Sequence, residues 1–203
     1  MNIIYEKCFN KEGQLIEGPL IIKPKIYFDE RGFFQESWNK KNFNKVLLEN
    51  GQKEETFVQD NHSKSVKGTL RGLHYQKDPN AQGKLVRCLN GEVFDVAVDL
   101  RKSSKTFLNY TFVNLSGKNQ TQFWIPRGFA HGFLTLSDYA EVSYKATQYW
   151  NKDSELSLKW NDPNININWP IELLEEEEEE LNVSEKDKNA FLLSQLNSEH
   201  FFL

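Results

Sequence analysis

The sequence predicts an all-β fold, a sandwich or barrel closed around an aromatic core. Between residues 57 and 150 seven short β-rich runs follow one another, separated by Gly, Asn, Asp and Ser at intervals of about ten residues, the spacing of such folds. No helical run intervenes among them, which argues against a parallel βαβ sheet. The chain has 203 residues, including 15 Phe and 5 Trp, enough to bury a substantial core in one domain. That domain is expected over 1–203, with a barrel core from about 56 to 160 and a helical C-terminal segment from about 171 to 203.

Ahead of the barrel, Leu20 to Phe28 reads as a strand that Pro24 confines to an edge or a bend. Asp29-Glu30-Arg31-Gly32 is a turn, and Phe33 to Trp38 alternates like a strand. Asn42 to Leu48 spaces Phe43, Val46 and Leu47 as one face of a short helix, which Asn50-Gly51 ends. The barrel runs follow. In one of them, EVFDVAVDL, the apolar residues do not keep a strict period of two, so both faces are expected to be partly covered. After Asn161-Asp162-Pro163 the β signal fades. Glu175–Glu180 is an unbroken acidic run, read as a solvated surface segment. Ser184 then caps a helix of about three turns reaching Leu196, with Asp187 at the third position of a capping box.

Charge and composition exclude several functions. The net charge of −4 does not fit a general nucleic-acid binder, although a local basic pocket stays compatible with it. No apolar run is long enough to cross a membrane, and the first residues lack the pattern of a secretory signal. Cys8 and Cys88 have neither metal nor redox spacing. A cytoplasmic protein is expected.

The chemistry centres on Gly68 to Gly91, GTLRGLHYQKDPNAQGKLVRCLNG. It places Arg71, His74 and Lys84 on two successive strands, and an imidazole with two cations suits a site that binds an anion and removes a proton. This stretch, with Pro126-Arg127-Gly128-Phe129-Ala130-His131, resembles the two motifs of the cupin jelly roll. Metal-binding cupins carry two His and a Glu in the first motif and a His in the second. Here His74 and His131 keep two of these places, while Gln76 and Lys84 occupy the others. Replacing the carboxylate with an ammonium removes the charge that would hold a divalent ion, so no metal is expected.

Across nearly the whole chain the sequence resembles the dTDP-4-dehydrorhamnose 3,5-epimerase family. The resemblance rests on Asp29–Phe34, Gln59–Ser63, Leu70–His74, Gln82–Arg87, Gly91–Asp99, Trp124–Phe133, Ala140–Lys145 and Ser184–Asp187. It implies inversion of C3 and C5 in a dTDP-linked 4-keto-6-deoxyhexose, through enolates formed next to the C4 ketone and without a cofactor. Such chemistry needs a base, a cation at the ketone oxygen and an acid on the opposite face of the ring.

By resemblance, His74 is the base, oriented by Asp187, Lys84 stabilises the enolate and Tyr144 is the acid. Arg71, Arg31, Glu36, Gln59, Asp60, Asn61, His131, Glu155 and Lys186 fall at substrate-contacting positions. Phe33 or Tyr149 is a candidate to stack on thymine. The resemblance further implies a homodimer in which the Arg31–Glu36 region reaches across to the partner. A single-centre epimerase, a metal-dependent cupin and a sugar-binding cupin stay open as alternatives.

Overall fold

The computed structural model describes residues 3–174 and 181–203. The acidic run Glu175–Glu180 lies outside these described residues. Two antiparallel sheets face each other as a jelly-roll barrel. One is six-stranded, in the order β1 (Ile4–Phe9), β2 (Leu15–Lys23), β10 (Gln122–Ile125), β7 (Lys84–Asn90), β12 (Tyr139–Ala146) and β5 (Gln59–Val66). The other is also six-stranded, five of its strands lying in the order β13 (Glu155–Ser157), β6 (Thr69–Gln76), β11 (Phe129–Thr135), β8 (Glu92–Asp99) and β9 (Tyr110–Ser116). A two-residue strand, β14 (Asn182–Val183), pairs in parallel with β6.

Pro24 breaks the N-terminal apolar run as expected. β2 ends at Lys23, and Ile26–Asp29 (β3) then pairs with Gly32–Gln35 (β4) in a separate hairpin. The alternation of Phe33 to Trp38 stops being strand after Gln35, because Glu36 turns to accept hydrogen bonds from the side chains of Asn39 (3.1 Å) and Asn42 (3.2 Å). Asn39 caps helix α1 (Lys40–Glu49), so the helix starts two residues before the expected Asn42.

Alternation along the strands sorts residues into layers. Val86, Cys88, Val93, Ala97, Val113, Phe133 and Val142 fill the barrel interior. Phe43, Val46 and Leu47 of α1 pack with Leu20, Leu85 and Trp124 on the outside of the first sheet. Phe94, Val96 and Val98 point outward from the other sheet and meet Trp160, Ile165, Trp169 and Phe202 of the C-terminal segment. β8 is therefore buried on both faces, which is why its apolar pattern lacks a clean period of two.

The expected three-turn C-terminal helix is corrected to a single turn, α2 (Glu185–Lys188). Ser184 caps it, accepting from the Asp187 N–H at 3.2 Å, but Asn189 ends it. The chain then leaves the helix to pair with the end of β13. The Phe191 N–H donates to the Ser157 carbonyl and the Lys159 N–H to the Phe191 carbonyl. Short 3₁₀ turns at Leu193–Gln195 and Ser198–His200 complete the segment. Tertiary hydrogen bonds here outweigh modest helical propensity.

Candidate active site

β6 and β7 follow each other in sequence but belong to opposite sheets, so His74 and Lys84 approach the interior from facing walls. A bulge shapes the first wall. His74 pairs with His131 and Arg71 with Phe133, so three steps on β6 match two on β11. On a regular strand Arg71 and His74 would face opposite sides. The extra residue puts both on the face of His131 and Phe133, inside the barrel. Gly72 makes this possible. Its φ is +131°, and an added Cβ would stand 2.5 Å from the Gly132 Cα, so only glycine fits where the two backbones touch.

His74 Nε2 lies 2.6 Å from Asp187 Oδ1. Asp187 is buried at the start of α2, where β14 and α2 run along the edge of β6. Burial pushes its carboxyl up. Hydrogen bonds from His74, the Gly72 N–H (3.3 Å) and Ser184 outweigh that and hold it below the usual carboxylate range. An ionised Asp187 accepts, so Nε2 of His74 carries the hydrogen, and Nδ1 is the nitrogen with the free lone pair.

Lys84 is buried, with Nζ 3.4 Å from the His74 carbonyl and 5.7 Å from the centroid of the Tyr144 ring. Burial lowers its pKa to about 8, the Lys186 charge adds to that, and Asp95 and Glu155 oppose it. Lys84 is therefore largely an ammonium at neutral pH, held where little water screens it. Tyr144 projects from the inner row of β12 with Ala140, Val142 and Ala146. Burial pushes its hydroxyl above the usual phenol range, reinforced by Glu155 and opposed by Arg71, so it stays protonated.

The sequence did not single out Asp95. It sits on the inner row of β8 and accepts from His131 Nε2 at 2.9 and 3.0 Å. Burial drives the Asp95 carboxyl up, against His131 and Lys84. Burial also draws His131 below its ordinary range, with Lys84 and His74 adding to the effect and Asp95 opposing it, so the imidazole is neutral. The Asp95 carboxylate in the middle of EVFDVAVDL, with apolar neighbours on either side, was the available signal, since a charge buried in a central strand must find a partner.

The other expected residues divide. Tyr144 pairs across strands with Asn61, so Asn61 and Gln59 lie on the inner face of β5. Asp60 is corrected. It lies on the outer face, where its carboxylate binds Lys145 Nζ (2.7 Å) and Ser143 Oγ (3.3 Å). Arg71 anchors its Nε on Ser65 Oγ at 3.0 Å. Glu155 pairs with Lys186 Nζ at 2.7 Å. Burial raises its pKa, but Lys186, the Trp150 indole and His74 outweigh that and hold it low. Trp150, which the sequence did not single out, thus joins the rim.

Arg31 stays at the exposed tip of the β3–β4 hairpin, bonded to Asp29, and Glu36 stays with the α1 cap. Neither reaches the His74 cluster within one chain. Gln76, in place of a cupin ligand, spends its amide on three backbone groups. Among the described residues, no three His, Cys, Asp or Glu side chains converge as a metal site.

The sequence model of the dTDP-4-dehydrorhamnose 3,5-epimerase family matches residues 14–195. The Salmonella typhimurium dTDP-4-dehydrorhamnose 3,5-epimerase is 57% identical over 176 residues, 87% of this chain and 91% of that protein. The crystal structure of a dTDP-6-deoxy-D-glucose-3,5-epimerase from Legionella pneumophila, in complex with dTDP-4-keto-L-rhamnose, superposes with a TM-score of 0.85 at 47% identity. That match covers 98% of each chain. A 3′-monoepimerase from Streptomyces bikiniensis, in complex with dTDP-quinovose, superposes with a TM-score of 0.78 at 30% identity, covering 88% of this chain and 85% of that one. By sequence and by fold, this chain belongs to the dTDP-4-dehydrorhamnose 3,5-epimerase family of isomerases.

Proposed function

We propose that this chain inverts C3 and C5 of dTDP-4-dehydro-6-deoxy-D-glucose to give dTDP-4-dehydro-L-rhamnose, a step toward dTDP-L-rhamnose. The observation that carries the reading is one barrel interior holding a base with an ionised partner, a buried ammonium and a protonated phenol. His74 Nδ1 removes the proton next to the C4 ketone. Asp187 steadies the imidazolium that forms. Charge moves onto the ketone oxygen, where Lys84 stabilises it in a medium of low dielectric. Tyr144 delivers a proton to the opposite face of the carbon, and solvent restores both groups. No electrons leave the sugar, so the chemistry as written requires no redox partner.

Arg71, Gln59, Asn61, His131, Glu155 and Lys186 bind the substrate around this set, with Arg71 suited to a phosphate or sugar oxygen. The chain acts as a homodimer in the cytoplasm. The exposed aromatics Phe28, Phe33 and Phe34 of the hairpin support the dimer, since a lone two-stranded hairpin with such a surface needs a second chain to cover it. Arg31 and Glu36 then serve the partner's site.

Inversion at a single centre is the second reading, favoured by the likeness to the Streptomyces 3′-monoepimerase. Proton NMR of the substrate, incubated with the protein in deuterated buffer, separates the two. Loss of both the C3 and C5 proton signals is expected. Loss of one moves the reading to a single-centre enzyme, and loss of neither overturns it.

A further inference from the structure

Gln76 lies on the inner row of β6, two residues beyond His74, and is 3% exposed. Its Nε2 donates to the carbonyls of Asn80 (2.6 Å) and Tyr149 (3.1 Å), and its Oε1 accepts from the Asn151 N–H at 2.6 Å. Two carbonyls on one side and an N–H on the other fix the orientation of the amide. The partners belong to two loops, 77–83 between β6 and β7 and 147–154 between β12 and β13.

The ends of the second loop are secured without Gln76. The Gly83 N–H donates to Thr147 Oγ1 at 2.8 Å and the Thr147 N–H to the Gly83 carbonyl at 2.9 Å. At the far end, Asn80 Nδ2 donates to Ser154 Oγ and the Lys77 N–H to the Ser154 carbonyl, both at 2.9 Å. Gln76 instead grips the middle, on both sides of Trp150. That middle carries two large rings in the open, Tyr149 at 63% and Trp150 at 56% exposure. Trp150 is oriented further by its N–H on Gln59 Oε1 (2.9 Å) and its indole on Glu155. Two exposed rings on a pinned backbone, at the rim formed by Gln59, Glu155 and Lys186, present flat faces to an aromatic ligand.

We infer that Gln76 is a positioning residue that holds the Tyr149–Trp150 shelf for the aromatic base of a nucleoside-diphosphate sugar. This rests on the function proposed above. It assigns Gln76 to ligand recognition through the loop, apart from the proton transfers of His74.

The test is Gln76→Met, which keeps the length of the side chain and removes the three strong hydrogen bonds. Its KM and kcat for dTDP-4-dehydro-6-deoxy-D-glucose, and its Kd for dTDP and for pyrophosphate by calorimetry, are compared with the wild type. We expect KM and the Kd for dTDP to rise about tenfold, the scale of one lost stacked base. The kcat is expected to stay within about twofold and the Kd for pyrophosphate, which has no base, to stay unchanged. Equal weakening for dTDP and pyrophosphate, a fall in kcat alone, or no change at all would each overturn the inference. Should Gln76→Met fail to fold, Gln76→Glu keeps the acceptor for Asn151, and the same split between dTDP and pyrophosphate decides. A wild type that binds no dTDP would instead overturn the proposed function, an outcome distinct from any behaviour of the variants.

Discussion

Two histidines in this barrel each meet an aspartate, and the two pairs are built for different tasks. His74 and Asp187 lie 2.6 Å apart, with the imidazole 30% exposed. His131 and Asp95 lie 2.9 Å apart in the centre of the sheet that holds His74, with the imidazole 7% exposed and the carboxylate fully buried. Asp187 has a backbone N–H and a serine to support its charge, and its pKa falls. Asp95 has only His131 and the nearby Lys84, and burial wins. The same two residue types thus give a partly exposed imidazole facing an ionised carboxylate in one place and a buried, neutral imidazole in the other. His74 contributes most to lowering Asp187 and the Gly72 N–H and Ser184 add to it, whereas burial exceeds what His131 and Lys84 offer Asp95.

The sharpest way to break this comparison is to damage the base. His74→Ala is expected to lower kcat/KM by about 10²–10⁴-fold, the worth of general base catalysis, while dTDP still binds within a few-fold. Asp187→Asn should cost a similar amount through the wrong tautomer, with little loss of stability. Steady-state rates and calorimetric dTDP binding check both. The buried pair should answer in the opposite currency. Asp95→Ala leaves the neutral His131 Nε2–H buried without its acceptor and is expected to cost about 1–3 kcal/mol of folding stability, read from urea unfolding. A rate loss with full stability would assign Asp95 to the chemistry instead.

Lys84 tests whether function is held against stability. Its folded pKa of about 8 lies below the ordinary lysine value, so the folded chain binds its proton less tightly than the unfolded one. That penalty is fully present below about 8 and fades as the pH rises toward the unfolded value. Lys84→Met is therefore expected to abolish exchange at both carbons yet raise stability at pH 7 by about 1–3 kcal/mol. His131 gives a weaker pH signature of the same kind. Its folded pKa is lowered, so the unfolded chain takes up a proton first, and stability should fall as the pH drops through about 6.5. Tyr144→Phe should leave proton loss intact while blocking inversion at C5, seen as deuterium exchange at C5 without inversion there. Deleting Glu175–Glu180 should leave the rate unchanged.

Much of this molecule could be read directly from its residues. Pro24 and Asn50-Gly51 punctuate the chain where β2 and α1 end, because those residues act on the backbone next to them. Alternation in AEVSYKATQYW put Tyr144 on an inner row for the same local reason. The C-terminal helix was misjudged because its residues past Asn189 gain more from bonding to Ser157 and Lys159 than from another helical turn. Asp60 was misplaced because a motif names a segment, while the pleat sends its neighbours Gln59 and Asn61 to the other face.

By itself the sequence determined the strands, the residue types available for proton transfer and the family. Tertiary structure alone decided which of those residues stand together. The bulge opposite Gly132 turns Arg71 onto the face of His74, and the fold brings Asp187 to His74 across 113 positions of chain. Burial and the donors around each carboxylate then push the two aspartates in opposite directions. These outcomes depend on distance and dielectric between segments far apart in sequence, quantities that no local pattern of residues encodes.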